Sequence, residues 1–313
     1  MRQLEDEKTG ELKDWPANFS KTYAEDDILV VDALAQSINT IAVRVGEQAG
    51  VGNIYRFMKN SLGVTSLTPE DNDSGPMILG SQTHGISPYE LAGAYMMLGN
   101  GGSFTTLHCY TSVQTGYGRE IAAPELKTKQ VLGTDTAYVM NRLLKNVLYS
   151  SVGTASGRYP KSNGMEAFGK TGTASDEKDL WFVGGTPYYV TAVWWGYDAP
   201  YDMTKTLTKQ QAKTSTCVMA WKALMEQAQA DLPYKAFPAS SGVVERRYCT
   251  QSGLLAGSSC PSTAVGYYRA DDLPDTCTYS HGASTQAADP AAPAEEAPQQ
   301  TVIPTDTSNL DTD

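Results

Sequence analysis

The sequence predicts an α+β fold: an antiparallel sheet flanked by helices, with a helical subdomain beside it. Three observations predict it. Apolar residues recur at spacings of three and four through the first half of the chain, β-branched and aromatic runs follow between positions 167 and 197, and helical spacing returns from Thr214. Helices, then paired strands, then a helix is a segregated order rather than an alternating one, which favours α+β over a parallel α/β sheet. No internal repeat is evident.

The first helix spans Asp32 to Ala49, where Leu34, Ile38, Ile41, Ala42 and Val45 make an apolar stripe that Gly50 and Gly52 terminate. The second spans Tyr89 to Leu98, opened by Ser87-Pro88 and closed by Gly99-Asn100-Gly101-Gly102. A third runs from Asp135 to Tyr149, with Thr134 expected as its N-cap and Ala137, Val139, Met140, Leu143, Leu144 and Val147 expected inward. Three extended segments follow: Ala167–Thr173, Leu180–Gly184 and Tyr189–Tyr197, the last two joined at Gly185-Thr186-Pro187. Thr214 to Leu232 is again helical, with Val218, Trp221, Leu224 and Met225 on one side.

Charge and composition narrow the function. Of 313 residues, 24 are Lys or Arg and 35 are Asp or Glu, a net charge of −11. Six of those acidic residues lie in 283–313, which has no aromatic, Lys or Arg, so the remainder carries only about −5. An acidic chain of this kind is a poor ligand for nucleic acid, which selects a basic face. The Ala/Pro-rich tail is expected to be disordered, because it cannot bury enough apolar surface to offset its ordering entropy. No stretch has the length of apolar sequence a membrane span requires, and Met1 to Trp15 lacks the apolar region of a secretory signal. The five cysteines, at 109, 217, 249, 260 and 277, form no C-x-x-C pair, and the three histidines stand apart from one another. Linear spacing therefore indicates no metal site and no thiol nucleophile.

Two short strings can carry chemistry. Lys170-Thr171-Gly172-Thr173 lies at the start of the extended region, where a lysine supplies charge, the threonines supply hydroxyls and the glycine permits close approach of another backbone. An anionic, extended peptide suits such an edge, because it can add as a strand. Lys8-Thr9-Gly10 repeats the tripeptide in a polar run without that context. Ser37-Ile38-Asn39 places a hydroxyl and a carboxamide inside an otherwise apolar helical stretch, where both need partners if buried.

In combination these strings resemble the SxN and KTG motifs of the penicillin-binding, serine β-lactamase-like family, and the chain is similar to the C-terminal part of a class A transpeptidase domain. Ala33 to Thr40 resembles the SxN helix, Gly85-Ile86-Ser87-Pro88 through Gly101-Gly102 the helix and glycine turn between the motifs, and Lys170–Ala174 with Asp179–Pro187 the KTG strand and hairpin. The resemblance implies a D,D-transpeptidase that cross-links peptidoglycan stem peptides through a serine acyl-enzyme and is acylated by β-lactams, without metal or organic cofactor. It implies catalytic roles for Ser37, Asn39 and Lys170, and binding of the substrate carboxylate by Thr171 and Thr173 around Gly172. It places the intact protein on the extracytoplasmic face of a bacterial membrane, held there by an upstream anchor.

The family's third motif, S-x-x-K, carries the nucleophilic serine and precedes SxN. None of the 36 residues before Ser37 contains it. Ser175-Asp176-Glu177-Lys178 matches the pattern but follows KTG in an acidic loop, and is read as coincidence. The expectation is a domain from 1 to 236 whose upstream strands and nucleophile helix are missing, leaving some of Trp181, Phe182, Trp194 and Trp195 without burial partners. Residues 237–282 would form a Cys-containing extension, with either one disulfide or free thiols, and 283–313 the tail. Cys109 and Cys217 are expected to be packing residues. A non-catalytic module that binds peptidoglycan peptides or a partner protein through the same cleft is the alternative.

Overall fold

A computed structural model describes residues 2–5, 10–24, 26–159, 164–198, 202–208, 211 and 213–281. The tail and Lys8-Thr9 lie outside the described residues. Short strands β1 (Arg2–Glu5), β2 (Leu12–Trp15), β3 (Ser103–Thr105), β4 (Val113–Gln114), β5 (Glu120–Ala122) and β6 (Thr128–Gln130) and helix α3 (Val51–Arg56) lie ahead of the central sheet in the chain. That sheet is three-stranded and antiparallel, made of β7 (Phe168–Thr173), β8 (Asp179–Gly185) and β9 (Val190–Gly196), in that order. These strands fall within about a residue or two of the positions expected from the sequence, because alternation of bulky β-branched and aromatic side chains is a local signal. Lys170 is paired with Val183, and Gly172 with Trp181.

Side chains alternate across a strand, and each sheet face has its own helix. Phe182 and Thr191 face α6 (Thr214–Ala228), where Trp221 meets Phe182 edge-on at 5.1 Å and donates its indole N–H to the Gly184 carbonyl. Phe168 faces the other way and stacks on Tyr95 of α4 (Pro88–Gly99). Beside β7 lies α5 (Thr134–Tyr149), whose Leu144, Val147 and Leu148 complete the core around Phe168, Phe182 and Trp221. A second apolar cluster, with Leu62, Val64, Leu67, Met77 and Phe104, belongs to the helical subdomain. Phe182 is fully buried, whereas Trp195 remains 41% exposed on β9, whose outer edge has no partner strand among the described residues.

Several helix expectations are corrected. The first helix is broken into α1 (Val30–Ala35) and α2 (Asn39–Ala49), with Ser37 in the left-handed region at φ 60°. The Ile38 N–H donates to the Ala33 carbonyl and the Ser37 N–H to that of Leu34, the paired bonds that close a helix at a left-handed residue. Gly133, not Thr134, caps α5. On that helix Asn141 and Arg142 are buried, while Val139, Met140 and Leu143 are only partly so. Leu224 is exposed, and α6 ends at Ala228 because Gln229 turns inward to accept from Thr186 Oγ1 and to donate to the Tyr159 hydroxyl. The start of α4 is as expected, with Pro88 first in the helix. Ser87 and Glu90 form a reciprocal capping box there.

Residues 237–281 pack on this body through a hairpin, β10 (Val243–Cys249) and β11 (Thr263–Arg269). Tyr267 of β11 lies edge-on to Tyr138 of α5, and the Arg142 guanidinium sits over both rings. Arg142 and Lys145 also hold Glu166, in the segment leading into β7.

Candidate active site

The α1–α2 break and the β7 strand bring Ser37 and Lys170 together. The Lys170 ammonium donates to Ser37 Oγ at 2.7 Å and to its neighbour's carbonyl, that of Thr171, at 3.0 Å. Both residues are half-buried. Desolvation pushes the Lys170 pKa down to about 8, since burial penalises the charged form and no carboxylate among the described residues is paired with it to offset the cost. The serine is offered to the lysine by its strained backbone: in a continuous helix Ser37 would follow the helical path, whereas the left-handed turn lifts its side chain onto the β7 face that carries Lys170. A non-glycine residue in this region costs about 1 kcal/mol or more, and such outliers concentrate at functional sites.

Strand alternation sends Thr171 and Thr173 to the opposite face from Lys170 and Gly172. Thr171 is buried and its hydroxyl meets that of Thr154 at 2.6 Å, while Thr173 pairs with Thr214 at the start of α6. Each pair of hydroxyls spends one O–H on the bond and keeps one O–H to donate elsewhere. Thr154, which the sequence reading missed, is fixed by its N–H on the Ala35 carbonyl at the end of α1. Its position next to Gly153 in a short loop gives no periodic signal that would single it out.

Gly172 faces its cross-strand neighbour, and a Cβ there would lie 3.1 Å from Trp181 Cβ. Asn39 opens α2 and donates its carboxamide N–H to the Ala17 carbonyl at 2.8 Å, rather than touching Lys170. Asn18 accepts from the Thr40 N–H, so the 16–24 loop is tied to the same junction. Between that loop and Gln36-Ser37-Ile38 lies a cavity of about 340 Å³. Ser175–Glu177 forms a single tight helical turn between β7 and β8, with Ser175 its first residue, rather than the start of a longer helix. Cys217 is buried against the Leu180 carbonyl, as expected of a packing residue, but Cys109 is exposed.

Comparison with known proteins places this geometry in context. A family model described as the penicillin binding protein transpeptidase domain matches residues 3–215. Penicillin-binding protein 1A of Clostridium botulinum (strain Langeland) is 32% identical over 228 residues, which cover 72% of this chain and 26% of that protein. Penicillin-binding protein 1A of Clostridium tetani is 30% identical over 277 residues, covering 85% of this chain and 34% of that one. Among solved structures, penicillin-binding protein 1A of Haemophilus influenzae superposes with a TM-score of 0.68 at 21% identity, over 87% of this chain and 44% of the other. The PonA1 protein of Mycobacterium tuberculosis in complex with penicillin V superposes with a TM-score of 0.59 at 21% identity, covering 76% and 65%. The chain thus spans about a quarter to a third of the curated relatives it matches.

Proposed function

Because the chain belongs to the penicillin-binding protein transpeptidase family, we propose that it supplies the SxN and KTG half of a serine D,D-transpeptidase site. The bond from Lys170 to Ser37, between residues 133 positions apart, carries this reading. A lysine with a pKa of about 8 can hold or release its proton near neutrality, which suits a relay through the Ser37 hydroxyl to and from the reacting groups. Asn39 would hold the stem-peptide amide through the carboxamide atoms that Ala17 leaves free. The hydroxyls of Thr171 and Thr173 would bind the terminal carboxylate, and the Thr173 N–H would face the oxyanion. The open edge of β7 fits an extended peptide added as a strand.

The serine that would be acylated by the stem peptide with loss of its terminal D-alanine, and then released as an amine acceptor attacks the ester carbonyl to form the cross-linking amide, would belong to an S-x-x-K element that the residues ahead of Ser37 do not carry. β-Lactams would acylate the same serine. Its reaction would take place on the extracytoplasmic face of the membrane. No helix among the described residues is long and apolar enough to cross one. Residues 1–236 would form the transpeptidase portion and 237–282 its extension.

A fluorescent penicillin tests the reading. The 313-residue chain is expected to remain unlabelled, and the same chain extended upstream through an S-x-x-K element is expected to label. Lys170→Ala in the extended chain should then cut acylation by orders of magnitude. Labelling of the unextended chain that vanishes with Ser175→Ala would refute the assignment and make Ser175 the nucleophile.

A further inference from the structure

We propose that Cys249, Cys260, Cys277 and His281 bind one zinc ion and that this site holds the 237–281 extension in its fold. The sequence spacing gives no sign of it, yet the fold gathers the four residues so that their sulfurs and a ring nitrogen of His281 all lie within 4.8 Å of one another. His281 Nε2 stands 3.4 Å from Cys249 Sγ and 3.2 Å from Cys277 Sγ. A tetrahedral zinc, with bonds of about 2.3 Å to sulfur and about 2.0 Å to nitrogen, sets its ligand atoms about 3.5–3.8 Å apart. The two sulfur–nitrogen distances lie within a few tenths of an ångström of that separation, and no pair of the four atoms exceeds 4.8 Å.

The backbone around the group is shaped to deliver it. Cys249 ends β10, and its N–H and carbonyl are both used in the turn that follows, with Leu254 and Gly253. The Gly257 N–H donates to Cys260 Sγ at 3.2 Å, an interaction that stabilises a thiolate. Cys277 is fixed by its N–H on the Leu255 carbonyl, and His281 follows four residues later. Cys249 and Cys277 are buried. A reactive thiol is partly exposed, so a nucleophilic role for Cys249 or Cys277 is disfavoured.

Energetics point the same way. Within 237–281 the buried apolar residues are Phe237, Cys249 and Cys277 alone among the described residues, and Phe237 packs into the core of the main body. A module of this size without a core of its own requires a staple. One disulfide would serve only two of the three sulfurs and would leave the third thiol and His281 facing it. Three thiolates and a neutral imidazole complete a closed structural site of the zinc type. Binding exchanges three thiol protons for the ion, giving a site of net charge −1 and three protons released to solvent.

The position gives the site a consequence for the catalytic machinery. A cavity of about 640 Å³ separates His281, Thr250 and Ser252 from Leu29 and Asp32, at the start of α1. Gly253 comes so near that a Cβ on it would lie 2.9 Å from Leu29. The extension therefore rests on the helix whose far end presents Ser37.

The test uses the full chain, purified with reductant present. Elemental analysis is expected to find one zinc per chain. Cobalt added to the metal-free chain is expected to give the intense visible bands of a tetrahedral thiolate complex, bleached by zinc. Cys260→Ser and His281→Ala should each weaken metal retention against a chelating indicator by more than the roughly 10–100-fold that outer-sphere partners are worth. Cys109→Ser should leave retention unchanged. The cobalt and zinc readouts need no variant, so a variant that fails to fold does not blunt the test. Absence of bound metal after loading would overturn the proposal. So would an intact mass lower by two hydrogens in a parallel preparation purified without reductant, with only one of the three extension thiols reactive until reductant is added, which would identify a disulfide instead.

Discussion

Replacing Lys170 by methionine should stabilise the protein at neutral pH. Desolvation lowers this lysine from its ordinary 10.5 to about 8, so the folded state resists carrying the charge that the unfolded chain carries freely. Uncompensated, a displacement over that interval corresponds to about 3 kcal/mol. Lys170 is only half-buried and keeps its bonds to Ser37 and the Thr171 carbonyl, so about 1–3 kcal/mol should be recovered in Lys170→Met. The pH dependence fixes the sign. A cation whose folded pKa lies below its unfolded one is destabilising while it is protonated. Between about 8 and 10.5 the unfolded chain binds more protons, so the parent gains stability as the pH rises. Urea denaturation of parent and variant, followed by tryptophan fluorescence at about pH 7 and about pH 10, reads the gap directly, and subtraction cancels the other titrating groups. The gap should be largest at the lower pH and shrink towards the upper. A variant less stable than its parent at neutrality, or a gap indifferent to pH, would refute the argument that desolvation sets the Lys170 pKa.

Glu166→Gln should cost about 2–3 kcal/mol at neutral pH. Burial alone would raise this carboxyl, but Lys145 and Arg142 outweigh it and hold it below its ordinary 4.5. The stability that Glu166 contributes is present above that ordinary value and is lost as pH falls through the lower folded one. Thermal melts of parent and variant should therefore converge in acid. Gly169→Ala should destabilise by about 1–3 kcal/mol, because its Cβ would come within 2.5 Å of Phe182 Cζ and 2.9 Å of the Val183 carbonyl; denaturant midpoints measure it. Trp195→Lys, at the exposed outer edge of β9, should reduce concentration-dependent self-association in sedimentation experiments while leaving the melting transition in place.

The sequence was most readable where structure is decided locally. The β7–β9 hairpins and the opening of α4 follow from alternation, from Gly185-Thr186-Pro187 and from Ser87-Pro88. It was least readable where a remote partner decides. Asn141 and Arg142 break the apolar stripe of α5, yet they are buried because the Leu98 carbonyl, Glu166 and Tyr267 meet them from other segments. Ser37 sits in a stretch whose spacing is helical, and the break there depends on bonds back to Ala33 and Leu34 that compete with propagation of the helix. Both Ser37 and Lys170 could be named from motif resemblance, but the engagement of Asn39 with Ala17 and of Thr171 with Thr154 could not. The cysteines and His281 were invisible as a group, since their ligand atoms converge from separate turns.

The junction between Ser37 and Lys170 also sets how freely the chain between them can change. Closing a flexible segment of that length carries an entropy cost that grows only with the logarithm of its length, so each doubling adds about 0.6 kcal/mol. The helical subdomain and the small exposed hairpin of Val113–Gln114 and Glu120–Ala122 both lie inside the closed segment. Residues inserted at that hairpin would burden the junction by a few tenths of a kcal/mol, less than the loss of one hydrogen bond. The length of the intervening subdomain is therefore nearly free to drift in evolution, provided the two strands of chain that enter and leave it keep their places beside β7.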